Sequence, residues 1–152
     1  MSSVDVAIPS YQYGSYLRDA AMSVLSQDGA DLRLLIVDNA STDGSQEIAR
    51  EIAAADDRVT LFLNDENRGM FDSYNRAIDW ADADYCVILD ADDVLASGSL
   101  ATSIEFLDDH PDVAFAYGVE GRLTDGRLDP GRCDSRTTRW RVVSGNDYIR
   151  RT

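Results

Sequence analysis

The chain has no lysine: its 14 basic residues, among 152, are all arginines. That removes the phosphate-binding loop GxxxxGK[ST], which needs a lysine to reach the β- and γ-phosphates. No GxGxxG follows the first apolar run either, so the dinucleotide fingerprint is missing. The two cysteines, Cys86 and Cys133, are too few for a disulfide framework or a cysteine-rich metal cluster. Cys86 sits inside an apolar strand pattern and is expected to be a small core residue. Nowhere does the chain hold about 18 consecutive apolar residues, the length a bilayer span needs. The start, MSSVDVAIPSY, lacks the basic, apolar and cleavage regions of a signal peptide, so a cytoplasmic location is expected. Positive charge is scarce as well. A formal net charge of −14 would repel a phosphate backbone over most of the surface, which argues against nucleic acid as a partner. The deficit is uneven: from Arg122 onward eight Arg face four Asp, a balance of +4 that leaves −18 on residues 1–121. Such a basic strip is either plain solvated surface or a place to meet anionic substrate, membrane lipid as a peripheral contact, or further protein.

What remains is ordinary globular material, 44% apolar and 28% charged, and long enough for one domain with a core of its own. Val4–Ile8 predicts a strand ended by Pro9. Tyr16–Gln27 carries Leu17, Ala20, Ala21, Val24 and Leu25 at helical spacing, with Ser15 placed to cap it. Leu32–Val37 predicts a second strand, and Asp43–Ala55 a helix with Asp43 and Gln46 as a capping box. Val59–Leu63 predicts a third strand, followed by a helix whose buried face is Met70, Tyr74, Ala77, Ile78 and Ala81. Tyr85–Leu89 is the fourth strand, Leu100–Leu107 lies in a fourth helix, and Val113–Tyr117 is the expected fifth strand. This alternation predicts an α/β fold, a mainly parallel sheet flanked by helices on both faces. After Gly118 the pattern dissolves into GVEGRLTDGRLDPGRCDSRTTRWRVV. LTDGRL there predicts a hairpin around Asp125 and Gly126, and a helix is expected to begin near Ser144. The expected organisation is a core over residues 1–118 and the incomplete start of another region over 119–152.

In a parallel sheet, ligands bind beyond the carboxyl ends of the strands. The segments that follow the four strands are PSYQYG, DNASTDG, NDENRG and DADD, all polar. The last ends the apolar run VILDADD: Asp90, Asp92 and Asp93 repel one another unless something positive sits among them. Asp-x-Asp at a strand end suits a hard divalent cation, Mg²⁺ or Mn²⁺, which takes oxygen ligands and is commonly completed by phosphate oxygens. One cap needs only one carboxylate, so capping accounts for Asp43 more readily than for Asp90 and Asp92 together.

The set VAIPSYQYGSYLRDAAMSVLSQ, LLIVDNASTDGS, NRGMFDSYNRAI and YCVILDADD, in this order and spacing over residues 4–118, resembles the family-2 glycosyltransferases, which have the A-type, Rossmann-like nucleotide-sugar fold. The resemblance implies a metal-dependent, inverting transfer of a sugar from a nucleotide-diphosphate sugar, UDP first, to an acceptor that is a glycan, a lipid carrier or a small molecule. It also implies roles for particular residues. Pro9, Ser10 and Tyr11 would line the nucleotide pocket, and Asp38 would accept a hydrogen bond from the base. Asn67, Arg68 and Gly69 would wall the donor pocket. Asp90 would lie by the ribose and the metal, and Asp92 would bind the metal that joins the phosphates. Gln12 departs from the family's asparagine. The family's general base, on a helix well after Asp-x-Asp, is expected beyond Thr152, so Glu120 and Asp125 are not assigned that role. VILDADDVL also resembles the first motif of haloacid-dehalogenase phosphatases. That motif ends the first strand of its core rather than the fourth, and its usual lysine is impossible here. A nucleotidyltransferase would carry a Gly-rich basic loop where PSYQYGSY stands. A non-catalytic sugar-nucleotide-binding module is the remaining alternative.

Overall fold

The structure, a computed structural model, describes residues 2–118, 121–124, 127–129 and 142–144. Its backbone contacts divide the chain into two units, Met1–Asp108 and Asp109–Thr152, ahead of the compositional break at Gly118. The first unit alternates β1 (Ser3–Ser10), α1 (Leu17–Leu25), β2 (Asp31–Asp38), α2 (Ser45–Ala55), β3 (Val59–Leu63), α3 (Met70–Trp80), β4 (Tyr85–Ile88) and α4 (Ser99–Asp109), which runs to the boundary. The strands lie in the order β3-β2-β1-β4, all parallel.

Burial follows from that order. β1 and β2 are central and covered on both faces, so side chains of either parity are apolar. On one face Val4, Val6 and Ile8 join Leu32, Leu34 and Ile36 beneath Leu17, Ala20, Ala21 and Val24 of α1, Ala49 and Ile52 of α2, and Leu100 and Ile104 of α4. On the other, Ala7, Leu35 and Val37 meet Ala77 of α3, with Trp80 packed alongside. Helices therefore cover both faces, as the alternation predicts. β3 and β4 are the outer strands, and their alternate residues reach solvent.

Several local expectations are corrected. Pro9 does not end β1: Pro9 and Ser10 stay in register with Val37 and Asp38. The Ala7 carbonyl faces β4 and the Ser10 carbonyl faces the loop after β2. Pro9 therefore points past the last β1–β4 pair, Ala7 with Ile88, where no N–H is needed. Ser15 does not cap α1; Tyr16 is the N-cap, without a side-chain bond, and the Tyr13 carbonyl accepts the N–H of both Tyr16 and Leu17 at 2.9 Å. The capping box of α2 is absent because Gly44, in the left-handed region (φ 93°), holds the N-cap. Cys86 is exposed because β4 is an outer strand and α3 covers only part of that face. On α3 the buried residues are Ser73 and Ala77, whereas Met70 and Ile78 are 59% and 60% exposed. Small side chains let this helix sit close to the sheet, so its larger apolar residues are turned aside.

Asp5 is an acid in the middle of the sheet, 1% exposed. Its β2 neighbour Arg33 binds it with two prongs, Nε at 2.8 Å and Nη2 at 2.6 Å, and the N–H groups of Asp82 and Ala83 donate to Oδ2 at 2.8 and 3.0 Å. The guanidinium lies over Trp80, 5.0 Å from the ring centroid. Burial pushes the Asp5 carboxyl up, but the bonds from Arg33, Asp82 and Ala83 and the Arg33 charge outweigh it and hold the carboxyl below its ordinary value. This cluster fastens the α3–β4 connection at the amino end of the sheet, opposite the loops that carry the polar motifs.

In the second unit Val113–Tyr117 forms no strand. It belongs to neither sheet among the described residues, and a strand is defined by backbone pairing within a sheet; Phe115 and Tyr117 stack on each other there. The two strands expected from LTDGRL are present, β5 (Arg122–Thr124) antiparallel to β6 (Arg127–Asp129); the turn between them lies outside the described residues. The helix expected from Ser144, Cys133, Glu120 and Asp125 lie outside the described residues, apart from Ser144 itself.

Candidate functional site

All four strands are parallel, so residues 11–16, 39–44, 64–69 and 89–98 leave their carboxyl ends on one edge of the sheet. The first backbone bonds beyond the strands continue the ladder: Asn39 N–H to the Ser10 carbonyl, Asn64 N–H to the Asp38 carbonyl and Leu89 N–H to the Ala7 carbonyl, each 2.9 Å. The loops therefore start in fixed register with one another.

Side chains then lock them together. Asn39, 3% exposed, is the hub: its Nδ2 donates to Asn67 Oδ1 (2.9 Å), and its Oδ1 accepts from Asn64 Nδ2 (3.0 Å) and the Arg68 N–H (3.0 Å). Asn67 Oδ1 also accepts the Gly69 N–H at 2.8 Å. Gly69 sits at φ 85°, ψ 163°, a region open essentially to glycine alone, which accounts for the glycine of NRG. Asn39 and Asn64 were not singled out from the sequence. The signal was available, since each is the polar residue immediately after a strand.

The loop after β1 is bound to the loop after β2. The Gln12 N–H donates to Ser41 Oγ (2.9 Å), and the Gln12 side chain exchanges bonds with Thr42, Nε2 to Oγ1 at 3.0 Å and Thr42 N–H to Oε1 at 3.2 Å. Gln12 has φ 63°, the left-handed region in which asparagine is enriched. Gln12 adopts that conformation here, and its two bonds to Thr42 offset the strain. Asp43 Oδ2 accepts the Gly14 N–H at 2.8 Å, and Oδ1 accepts the Ser45 N–H at 3.1 Å. Burial pushes the Asp43 carboxyl up, but the bonds from Ser45 and Gly14 hold it below its ordinary value. Asp43 is a loop fastener and the opening contact of α2, in line with its expected structural role.

The residues carried over from the motifs fall on this edge. Ser10 and Asp38 are register partners, 3% and 0% exposed. Asp38 Oδ1 accepts the Ser41 N–H at 2.9 Å, while Asp38 Oδ2 and Ser10 Oγ are buried without a partner. Tyr11 is 43% exposed. Arg68 is exposed, its Nε 3.9 Å from Glu66. Asp90, Asp92 and Asp93 are exposed and flank buried Ala91. Asp90 Oδ1 accepts the Tyr74 hydroxyl from α3 at 2.9 Å, and the Asp90 carbonyl accepts the Asp93 N–H at 3.0 Å in a turn. Ser10 is thus brought to Asp38, and Asn67 to the Asn39 hub. No described bond joins Asp92 to either group. Among the described residues no three His, Cys, Asp or Glu side chains gather closely enough to hold a metal ion by themselves, and none of the helices is long and apolar enough to cross a membrane.

The protein-family model for glycosyl transferase family 2 matches residues 5–144. Over 107 residues the chain is 33% identical to an uncharacterized glycosyltransferase of Haemophilus influenzae, covering 70% of this chain and 43% of that protein. Over 106 residues it is 30% identical to the GalNAc(5)-diNAcBac-PP-undecaprenol beta-1,3-glucosyltransferase of Campylobacter jejuni, covering 69% and 34%. Among solved structures it resembles the mannosyltransferase PcManGT of Pyrobaculum calidifontis in complex with GDP-Man and Mn²⁺, with a TM-score of 0.65 and 29% identity over 72% of this chain and 33% of that one. The chain spans 43% and 41% of the length of the first curated relatives it matches. Sheet order, motif order and these likenesses agree that the fold is the glycosyltransferase A-type fold, and that the chain belongs to glycosyl transferase family 2.

Proposed function

We propose that this chain forms the donor side of a metal-dependent, inverting glycosyltransferase that uses a nucleotide-diphosphate sugar, UDP-linked before other nucleotides. The observation that carries the reading is the pair of buried, unpartnered polar atoms, Asp38 Oδ2 and Ser10 Oγ, at adjacent strand ends. A buried polar atom without a partner costs about 1–3 kcal/mol, and such exceptions call for an explanation. Uracil would supply one: its ring N–H donates to the carboxylate oxygen, and its carbonyl accepts from the serine hydroxyl. The Ser41 N–H fixes the other Asp38 oxygen, so the free one is already oriented. Both atoms are sealed from water, so the side chains above them shift when the base enters. Tyr11, exposed next to Ser10, would lie beside the base.

The donor set at the end of β4 fits a hard cation. Asp90 and Asp92 offer exposed carboxylate oxygens and take part in none of the described ion pairs. Two carboxylates leave room for the waters and phosphate oxygens that Mg²⁺ or Mn²⁺ prefers. When bound there, the ion would offset the charge that develops on the departing diphosphate. In the reaction the acceptor oxygen attacks the anomeric carbon, the carbon–oxygen bond to the diphosphate breaks, and a carboxylate base takes the acceptor's proton. Asn67 and Gly69, held by Asn39, would form the wall that orients the donor. A peripheral membrane contact for the arginine-rich tail and a glycan, lipid-carrier or small-molecule acceptor belong to the same reading.

Titration calorimetry with UDP and GDP, in Mn²⁺ or in EDTA, tests it. UDP with Mn²⁺ is expected to bind tightest, and Asp92→Ala to lose at least about tenfold in affinity, or about 1.4 kcal/mol. Asp38→Asn keeps the acceptor for Ser41 but turns the free oxygen into a donor, so UDP affinity should fall while the melting temperature holds. Binding that ignores EDTA and both substitutions would refute the proposal.

A further inference from the structure

We propose that Tyr74 is a positioning residue for the cation site, its hydroxyl holding one oxygen of Asp90 so that the other is presented outward. The inference rests on the function proposed above and adds to it a residue from a different element. Asp90 follows the outer strand β4 and is exposed, so burial does not fix how its carboxylate turns. Tyr74 comes from α3 and donates to Asp90 Oδ1 at 2.9 Å. Its ring is rigid and half-buried, next to Ser73, which packs against the sheet. The phenol therefore reaches Asp90 from a helix whose own rotation is set by the core.

The same helix begins at Gly69, whose N–H bonds to Asn67 and, through it, to Asn39. The segment NRGMFDSY thus joins the wall expected to hold the donor to the carboxylate expected to hold the cation. With Oδ1 occupied by a donated proton, Oδ2 is left for a single, directed metal bond.

The test measures Mn²⁺ affinity by the electron paramagnetic resonance signal of free Mn²⁺, at saturating UDP or GDP, for the wild type, Tyr74→Phe, Asp90→Asn, the double variant and Asp92→Ala. Tyr74→Phe keeps the ring and its packing, which melting curves verify. It should weaken Mn²⁺ binding about tenfold, the scale of one hydrogen bond to a charged group. Because Tyr74 is held to act through Asp90, the double variant should bind no more weakly than Asp90→Asn alone, whereas two independent effects would add. Unchanged affinity in Tyr74→Phe, or additive losses, alongside a loss in Asp92→Ala would overturn the role of Tyr74 and leave the function standing. Failure of the wild-type protein to take up Mn²⁺ with either nucleotide would overturn both.

Discussion

Replacing Asn39 by alanine should loosen the loops at the carboxyl edge of the sheet, and the structure sets the size of the effect. The substitution removes three side-chain hydrogen bonds, to Asn67, Asn64 and the Arg68 N–H. At about 1 kcal/mol for each such bond the loss is about 3 kcal/mol. The bond from the Arg68 N–H is only partly buried, so water can take over its partner's place, which lowers the figure. Asn64 is only 8% exposed, so its amide is left dry, which raises it again. A net loss of about 2–3 kcal/mol corresponds to a fall in Tm of about 4–12 °C for a chain of this size. Urea titration followed by circular dichroism should show a lower midpoint with an unchanged slope. Asn39→Asp is the sharper companion: it keeps the acceptors for Asn64 and Arg68 but faces Asn67 Oδ1 with a second oxygen. Asn67 relieves that clash only by turning its amide and surrendering the bond from Gly69. An intermediate loss is therefore expected. A loss below about 1 kcal/mol for Asn39→Ala would mean that water or neighbouring side chains replace these bonds without cost, and the hub would have no energetic meaning.

Two further outcomes follow from the same structure. Asp5→Asn should cost about 2 kcal/mol at neutral pH, less than for a fully buried ion pair because Arg33 is half exposed and rehydrates. Since the Asp5 carboxyl titrates below its ordinary 3.8 in the folded protein, its contribution is complete above that pH and disappears as the pH falls through the folded value. Urea midpoints of wild type and variant should therefore differ by a constant amount from pH 7 to 5 and converge only in stronger acid; convergence already at pH 5 would refute the assignment. Ala40 holds φ 63°, a conformation that strains a side chain, so Ala40→Gly should raise stability by about 0.5–1 kcal/mol after glycine's added chain entropy is deducted. A lower melting temperature would show that the Ala40 methyl makes contacts that outweigh the strain.

The β–α rhythm could be read along the chain because burial in a layered fold leaves a periodic trace. Leu17, Ala20, Ala21 and Val24 were expected inward and are buried. The same logic failed on α3, where size misled: Met70 and Ile78 carry the larger apolar surfaces, yet Ser73 and Ala77 face the sheet, since closeness of approach favours small side chains. Cys86 shows a different limit. Its neighbours are apolar, but its exposure depends on β4 being an outer strand, and the order of strands across a sheet is not written in the period of any one of them. Val113–Tyr117 has the composition of a strand, yet it belongs to neither sheet among the described residues.

The site divides in the same way. The motifs marked the segments after the strands as polar, and Ser10, Asp38, Asn67 and Asp90 do come to one edge of the sheet. The folded chain alone revealed that Asn39 binds two residues 25 and 28 positions away, that Asp5 is neutralised from β2 and the α3–β4 turn together, and that Tyr74 reaches Asp90. Hydrogen bonds between loops depend on distances set by strand register and helix docking, quantities that arise only when the whole sheet closes and that no local stretch of sequence encodes.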